Sequence, residues 1–277
     1  MTHTFATNAT QDVKVCVATI CFDGFADLDF APSFASIPSS GISDVEFNCW
    51  YPRNLTPAGL DSIAQRCSER GLHPAALQIL TPAPTSEFAS PSGDLARWLW
   101  QLEAAERIGA RIVKTTGARR DESGADLKAF IETLKIVAPI AADRGLKIAL
   151  ENHFRNTFES RQDYERIFSE ISDESVGICV DTGHFTASGV DISMFIAEFG
   201  ERIVHIDLKD CAAAGNDRFV PFGHGVVDFD AVIREAIEEG FSGYLVVEYP
   251  SDGNGNDLAH VLDGLQVARP YITSLSD

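Results

Sequence analysis

The sequence is short of basic residues. Its 277 residues include 22 Lys and Arg against 41 Asp and Glu, which gives a formal net charge of −19 at pH 7. A surface this acidic repels phosphate backbones and anionic lipids, which argues against nucleic acid and membranes as partners. The same charge attracts divalent cations wherever carboxylates converge. The composition therefore favours a metal-dependent enzyme that acts on small neutral polyols.

Long apolar runs, signal-peptide features and cysteine pairs are also absent. No run approaches the ~20 residues that a membrane-spanning helix needs, and the first residues, MTHTFATNATQD, lack a basic region followed by an apolar one. The six cysteines form no CxxC pair, which is typical of free thiols in a reducing compartment. The sequence thus predicts a cytoplasmic protein with a disordered tail over residues 1–12.

A Gly-rich phosphate-binding turn is missing too, and the sequence instead repeats a pattern of helix end, glycine and short β-rich run. AERIGARIVKTT and AADRGLKIALEN are two examples. Helix starts are predicted at Thr56-Pro57 and Ser90-Pro91, and residues 94–108 carry apolar side chains at helical spacing. Eight strands are predicted, at roughly 13–21, 44–50, 76–81, 111–116, 147–152, 176–181, 202–208 and 244–249.

Eight strands that alternate with helices indicate an α/β fold, a (β/α)8 TIM barrel. A doubly wound open sheet would more often have five or six strands and the Gly-rich turn. No linker divides the chain, so residues 13–277 are predicted to form a single domain. Barrels of this kind often dimerise, which makes a homo-oligomer one expectation.

Four acidic residues stand at the carboxyl ends of consecutive predicted strands: Glu151, Asp181, Asp207 and Glu248. Active sites of TIM barrels lie at this end, and a charge after an apolar strand is costly unless it faces a polar site or a cation. Because converging carboxylates repel each other, we expect them to share one divalent cation. Oxygen ligands favour Mn²⁺ or Mg²⁺ over Zn²⁺. The alternative is that these acids only cap helices or end strands in solvent.

Five motifs carry a family resemblance. They are LENH at 150–153, VDTGH at 180–184, HIDLKD at 205–210, FGHGVVDF at 222–229 and VVEYP at 246–250. Together and in this order they resemble the sugar phosphate isomerase/epimerase family, the xylose isomerase-like TIM barrels of the AP endonuclease 2 superfamily. The resemblance implies that Glu151, Asp181, the residue at position 207 and Glu248 hold the metal.

The chain departs from the family pattern at two places. Most relatives read HLKD where this chain has Asp207-Leu208-Lys209-Asp210, and GEG where it has Gly223-His224-Gly225. We predict Asp207 as the third ligand, because His205 shares its strand face but lies one pleat, roughly 6.6 Å, deeper. His205 would then be a buried histidine inside the barrel. His224 is either a substrate contact or an ordinary loop residue.

The resemblance implies chemistry on keto-sugars or related polyol ketones. A metal bound by the carbonyl oxygen and a neighbouring hydroxyl acidifies the adjacent C–H, so that a carboxylate can remove the proton and form an enediolate. Glu151 and Glu248 are the predicted catalytic pair, one on each face of the substrate. The predicted function is a divalent-metal-dependent sugar isomerase or epimerase.

Further residues are predicted to bind the small carbohydrate substrate: His153, His184, Lys209, Lys114, His224, Trp50 and Arg155. The histidines could instead orient a carboxylate, and the lysines could be solvated residues at the rim. Arg119 and Arg120 are further candidates for binding a carboxylate or phosphate. Phe22 and Tyr51 could wall the cavity or pack in the core. Segments 81–94 and 251–257 are long enough to act as lids.

Three other functions compete with the isomerase. A metal-dependent lyase, similar to inosose or 3-dehydroshikimate dehydratases or to enzymes that cleave a 3-keto-glycoside by elimination, would use the same proton abstraction, with His153, His184 or His224 as an acid. DNA repair of the endonuclease IV type is disfavoured, because Asp217-Arg218-Phe219 lacks the histidine of a D-x-H motif. A binding module without catalysis is the remaining alternative, and it rests only on the unusual Asp207.

Overall fold

The computed structural model describes residues 12–79, 91–120, 125–251 and 253–272. Eight parallel strands close into one barrel, which confirms the predicted (β/α)8 fold. The barrel strands are β1 (Lys14–Ala18), β2 (Asp44–Cys49), β3 (His73–Ile79), β4 (Ile112–Thr115), β5 (Lys147–Glu151), β6 (Val176–Asp181), β7 (Ile203–Leu208) and β10 (Tyr244–Val247). They follow one another around the barrel in chain order, and β10 pairs with β1 to close it.

Helices surround the strands. They are α1 (Ile20–Asp23), α2 (Ala31–Ser40), α3 (Pro57–Arg70), α4 (Pro91–Ile108), α5 (Ala125–Asp143), α6 (Arg161–Glu170), α7 (Thr182–Ser188), α8 (Ile192–Phe199), α9 (Phe229–Glu238) and α10 (Asp257–Ala268), with short 3-10 turns at Pro52–Leu55 and Gly200–Arg202. Within the described ranges, no helix is both long enough and apolar enough to cross a membrane.

The local signals of helix α3 act as predicted. Thr56 accepts a hydrogen bond at Oγ1 from the backbone N–H of Gly59 at 3.1 Å, which caps the helix after the predicted Thr-Pro start. Gly71 ends the helix at φ +63°, a left-handed conformation that glycine adopts without strain. Helix α4 begins at Pro91 and includes the predicted segment 94–108, whereas Ser90 lies outside the described residues.

Two predicted strand boundaries are wrong. The first strand was expected over 13–21, but β1 ends at Ala18 because the backbone N–H of Ile20 donates to Asn48 Oδ1 at 2.9 Å and begins helix α1. The third strand was expected over 76–81, but it begins three residues earlier, at His73, where the backbone N–H of that residue donates to the carbonyl of Ser43. Of the predicted tail over 1–12, residues 1–11 lie outside the described part.

Alternation along the strands divides the barrel interior into two levels. Ala76, Ile112, Ala149 and Cys179 form a small apolar cluster. Two residues further along the same strands stand Gln78, Lys114, Glu151 and Asp181, all buried. Because side chains two apart on a strand share a face, these polar groups occupy the next level towards the carboxyl ends. All six cysteines are free and buried, as predicted.

The connection after β7 is organised by one buried carboxylate. Asp210 belongs to a short antiparallel pair, β8 (Asp210–Cys211) with β9 (Phe219–Val220), that was not predicted. Its oxygens accept backbone N–H groups from Cys211, Gly223, Gly225 and Val227 at 2.9–3.4 Å. A Cβ at Gly225 would lie 2.1 Å from Asp210 Oδ1, so this position requires glycine.

Replacing Asp210 should therefore loosen the connection. We expect Asp210→Ala to lower the free energy of unfolding by about 2 kcal/mol or more, because several buried N–H groups lose their acceptor together. Asp228→Ala is the matched control: the exposed Asp228 accepts one N–H, from Ala231, so its loss should cost about 1 kcal/mol. Urea denaturation measures both, and equal losses would show that Asp210 does not organise the connection.

Candidate active site

A cavity of about 500 Å³ opens at the carboxyl ends of the barrel strands. Acidic, basic, amide and imidazole side chains meet there: Gln78, Glu151, His153, His184, Lys209 and Glu248. Trp50, Arg119 and Arg155 also line it. All of these residues except Gln78 were candidates from the sequence, and they meet because the carboxyl ends of parallel strands converge at one end of a closed barrel.

Lys114 lies below this cavity, completely buried among carboxylates. Its Nζ is 2.6 Å from Asp207 Oδ2 and 2.7 Å from Glu46 Oε1. Glu248 Oε2 is 3.1 Å from the same atom and Glu151 Oε2 is 3.4 Å from it. Four strands thus each contribute one carboxylate to a single ammonium group. We call these five residues the Lys114 cluster.

Lys209 is a second buried cation, and it lines the cavity. Its Nζ lies 2.7 Å from Asp181 Oδ2 and 2.5 Å from Glu248 Oε1. Glu248 therefore has one oxygen on each lysine. Glu151 differs, since both of its contacts, with Lys114 and with the side-chain amide of Gln78 at 2.6 Å, involve Oε2.

His205 is buried inside the barrel, as the sequence predicted. Its Nε2 lies 2.8 Å from Glu46 Oε2 and 3.4 Å from Asp207 Oδ1. Burial alone would lower the pKa of His205, but hydrogen bonds to Asp207 and Glu46 raise it to about 9. His205 thus adds a third positive charge to this level of the barrel.

The carboxylates fall into two electrostatic classes. Burial raises the pKa of Glu151 well above its usual value, and burial also raises the pKa of Asp181 to about 7. For Asp207 and Glu46, burial acts in the same direction, but the Lys114 ammonium and His205 together outweigh it, and the pKa of each falls below its usual value. Lys114 and His205 thus keep the deeper pair of acids ionised.

Glu46, Asn48 and Gln78 belong to the site, although none was singled out from the sequence. The Asn48 amide donates to Glu46 Oε1 at 3.0 Å and to Gln78 Oε1 at 2.6 Å, and Gln78 in turn donates to Glu151. The available signal was a polar residue at alternate positions of the buried runs in β2 and β3. Those strands carry no family motif, since the five motifs of the family resemblance lie between residues 150 and 250.

Two adjacent imidazoles, tilted by 32° relative to each other, form one wall of the cavity. The rings of His153 and His184 lie 3.8 Å apart at their centroids. His153 Nδ1 is 3.0 Å from the Phe154 carbonyl, which can only accept, so this nitrogen carries the proton. His184 Nδ1 accepts the backbone N–H of Phe154 at 3.4 Å, which places its proton on Nε2. Burial lowers the pKa of both, to about 4 for His153, so both rings are neutral at pH 7.

Other predicted residues lie elsewhere. His224 is exposed and does not line the cavity, because the loop that carries it folds towards Asp210. Arg120 forms an ion pair with Asp163 instead of reaching the cavity. The predicted aromatic wall is formed by Trp50, whereas Phe22 is buried in the core. The predicted lid over 81–94 falls largely outside the described residues.

Three groups of described side chains bring metal-binding atoms within 4.8 Å of one another: Cys179 with His205 and Asp207, Glu151 with Asp181 and His184, and Glu46 with Asp207 and Glu248. Of the four predicted ligands, Glu151 and Asp181 belong to the second group, and Asp207 and Glu248 belong to the third. The last group converges on Lys114 Nζ. A divalent cation takes oxygen ligands at about 2.0–2.6 Å and cannot share that position with an ammonium group. The predicted four-ligand centre therefore does not fit the arrangement in the structure.

Comparison with known proteins agrees with the fold. The model of the xylose isomerase-like TIM barrel family matches residues 34–271. An inosose dehydratase of Lactiplantibacillus plantarum is 30% identical over 149 residues, which cover 48% of this chain and 49% of that protein. The chain spans about half the length of the curated relatives it matches.

Solved structures share the fold over nearly the whole chain. The probable 3-DHS dehydratase AsbF of Bacillus anthracis has a TM-score of 0.74 at 16% identity, covering 92% of this chain and 99% of that one. The IOLI protein, solved with a bound zinc atom, has a TM-score of 0.76 at 19% identity, covering 94% and 100%. An L-ribulose 3-epimerase has a TM-score of 0.74 at 17% identity, covering 93% and 96%. Among the described residues, the three groups of metal-binding side chains make a divalent metal a candidate cofactor.

The ion pairs between the buried charges should contribute strongly to the free energy of unfolding. We expect Glu46→Ala to lower the free energy of unfolding by about 3 kcal/mol or more, because it removes one of the two carboxylates that the buried Lys114 and His205 share. Glu103→Ala is the control, since Glu103 forms an exposed ion pair with Arg144 and should cost about 0–1 kcal/mol. Urea denaturation gives both values, and similar losses in the two variants would contradict this contribution.

Proposed function

The chain belongs to the xylose isomerase-like TIM barrel family, and from that premise we propose that it is a lyase that removes water from a cyclic polyol ketone. The inosose dehydratases that share about half of their length with this chain support the substrate class. A cavity with imidazole, amide, carboxylate and indole groups suits a ring rich in hydroxyls. The net charge of −19 favours a neutral substrate over an anionic one.

The asymmetry between the two cavity glutamates carries this proposal. Both oxygens of Glu248 are held by ammonium groups, at 2.5 Å from Lys209 and 3.1 Å from Lys114. The contacts of Glu151 with Lys114 and Gln78, within the described part of the chain, leave its Oε1 for the substrate. The site thus offers one available base rather than a symmetric pair. A single base suits elimination, whereas epimerisation needs a proton returned from the opposite face.

The chain's own residues then account for each proton. Glu151 removes the proton from the carbon next to the ketone, and Lys209 donates an N–H to the carbonyl oxygen as negative charge develops there. The enolate reforms the carbonyl and expels the hydroxyl on the next carbon. Glu151, now protonated, gives this proton to the departing hydroxyl, which leaves as water, while the neutral His184 donates an Nε2–H hydrogen bond to the same oxygen. His153 Nε2, unprotonated, accepts a hydrogen bond from a substrate hydroxyl.

The isomerase or epimerase predicted from the sequence is the second candidate. It shares the first step, and it is favoured by one observation, namely that Glu151 and Glu248 both line the cavity. The Mn²⁺ or Mg²⁺ predicted with it is used in no step here, because Lys114 holds the centre of the predicted ligands. We extend the proposal to a cytoplasmic enzyme that acts on small carbohydrates, forms a homo-oligomer and has no nucleic-acid partner.

A substrate panel in deuterated water tests the two candidates together. We expect inososes to give a strong ultraviolet enone absorbance, because elimination conjugates the ketone with a new double bond. Deuterium incorporation next to the ketone in ketoses or 3-keto-sugars, with no enone from any compound, would instead favour the epimerase. Nuclear magnetic resonance of the same samples identifies the exchanged carbon.

Glu151→Gln should abolish most of the activity. We expect kcat to fall by about 10²–10⁴-fold, because the amide keeps the shape of the side chain but cannot take a proton. Glu132→Gln, which alters an exposed ion pair with Lys135, is the control and should keep wild-type kinetics. A Glu151→Gln enzyme with near wild-type proton exchange would remove this residue from the mechanism.

His184→Asn should separate the two steps of elimination. Without the Nε2 proton of His184, departure of the hydroxyl slows, whereas proton removal by Glu151 continues. We therefore expect deuterium exchange next to the ketone to persist while enone formation falls by about 10²-fold. If exchange and enone formation fall together, the Nε2–H of His184 does not assist the departing hydroxyl.

A further inference from the structure

We propose that the ammonium group of Lys114 takes the place of a divalent cation in the carboxylate cluster, so that this chain binds no metal there. The metal-binding part of this inference rests on geometry alone. Its catalytic part rests on the proposed function, since it assigns to fixed ammonium groups the charge stabilisation that enolisation of a ketone requires.

The position of Lys114 Nζ is the first observation. Glu46, Glu151, Asp207 and Glu248 come from different strands, and each places an oxygen 2.6–3.4 Å from this one atom. A dication bridging the same carboxylates would have to stand where the ammonium stands. The two cations would also repel each other in a site from which water is excluded.

The second observation is that the carboxylates around the Lys114 ammonium also form ion pairs with other cations. Glu46 uses one oxygen for Lys114 and the other for His205, and Glu248 uses one for Lys114 and the other for Lys209. Asp207 Oδ2 is 2.6 Å from Lys114, and its Oδ1 is 3.4 Å from His205. Metal binding would require several of these ion pairs to break, leaving charges buried without partners.

The third observation is that two lysines together supply what a metal ion would supply. One can contact the substrate, and the other positions the carboxylates. Lys209 lines the cavity and can donate to a substrate oxygen, whereas Lys114 lies beneath it with its ammonium group among four carboxylates. Lys114 is thus a positioning residue. It holds Glu151 and Glu248 together despite their repulsion, and Lys209 supplies the N–H that contacts substrate.

Metal analysis of the full chain tests the inference without any substrate. Protein purified without chelators and dialysed against Mn²⁺, Mg²⁺ and Zn²⁺ should contain well below one equivalent of each by elemental mass spectrometry. In a titration followed by electron paramagnetic resonance, the signal of free Mn²⁺ should remain undiminished at stoichiometric protein. One tightly held equivalent of any of these ions in the wild type, removed by Glu248→Gln, would overturn the proposal.

Removing the ammonium should create the missing metal site. In Lys114→Met the carboxylates lose their central cation, and we expect the variant to bind one Mn²⁺ at least tenfold more tightly than the wild type. Lys135→Met is the matched control, because it removes the same charge from an exposed ion pair with Glu132 and Glu170. Lys114→Gln keeps a polar group in place should Lys114→Met fail to fold. Two folded Lys114 variants that bind Mn²⁺ no better than Lys135→Met would show that the ammonium does not exclude the metal.

The catalytic part has a separate readout. Once a substrate is found in the panel, incubation with excess chelator should change the wild-type rate by less than twofold, whereas a metal-dependent enolisation would lose on the order of a hundredfold or more. Loss of activity on chelation, restored by one cation, would overturn the catalytic part. If no polyol ketone reacts at all, the proposed function fails, while the metal analysis still decides what occupies the cluster.

Discussion

The barrel mouth depends on one buried ammonium group held by carboxylates. Burying Lys114 without partners would be prohibitive, and the same holds for Asp207 or Glu46 alone. Together they satisfy one another, and they do so across the barrel from strands that are not neighbours. The rest of the site follows from this pairing, because the charge of Lys114 influences which acids stay ionised. It also determines which oxygens of Glu151 and Glu248 are bound in an ion pair.

The site consequently has a deep part and a cavity-facing part with different tasks. The deep part, with Lys114, His205, Glu46 and Asp207, is buried and linked by ion pairs. The cavity-facing part holds the groups that can meet a substrate, among them Glu151, Lys209 and the two adjacent imidazoles. Glu151 and Glu248 connect the two parts, but unequally, and this inequality is what separates a one-base site from a two-base site.

Much of the architecture could be predicted from the sequence because it follows from local rules. Glycine after several helices and apolar runs of strand length indicate a repeated βα unit, and strand ends locate Glu151, Asp181 and Glu248. What could not be predicted depends on partners from distant strands. Lys114 was predicted as a substrate contact at a strand end, yet it shares its face with Ile112 and so points into the barrel. Asp207 was predicted as a metal ligand from the family pattern, and its contact with Lys114 on β4 has no signature in the local sequence. His224 fell outside the cavity because loop direction is set by Asp210.

The cross-barrel pairing also bears on how the chain reaches its native state. Glu46 and Lys114 lie in the first half of the barrel, whereas Glu151, Asp207 and Glu248 lie in the second. In a half-barrel intermediate the second half would lack the Lys114 ammonium group that Glu151, Asp207 and Glu248 contact in the closed barrel. Closing the ring brings this charge to those acids, so the electrostatics of the site disfavour partly assembled forms and make folding of the two halves mutually dependent.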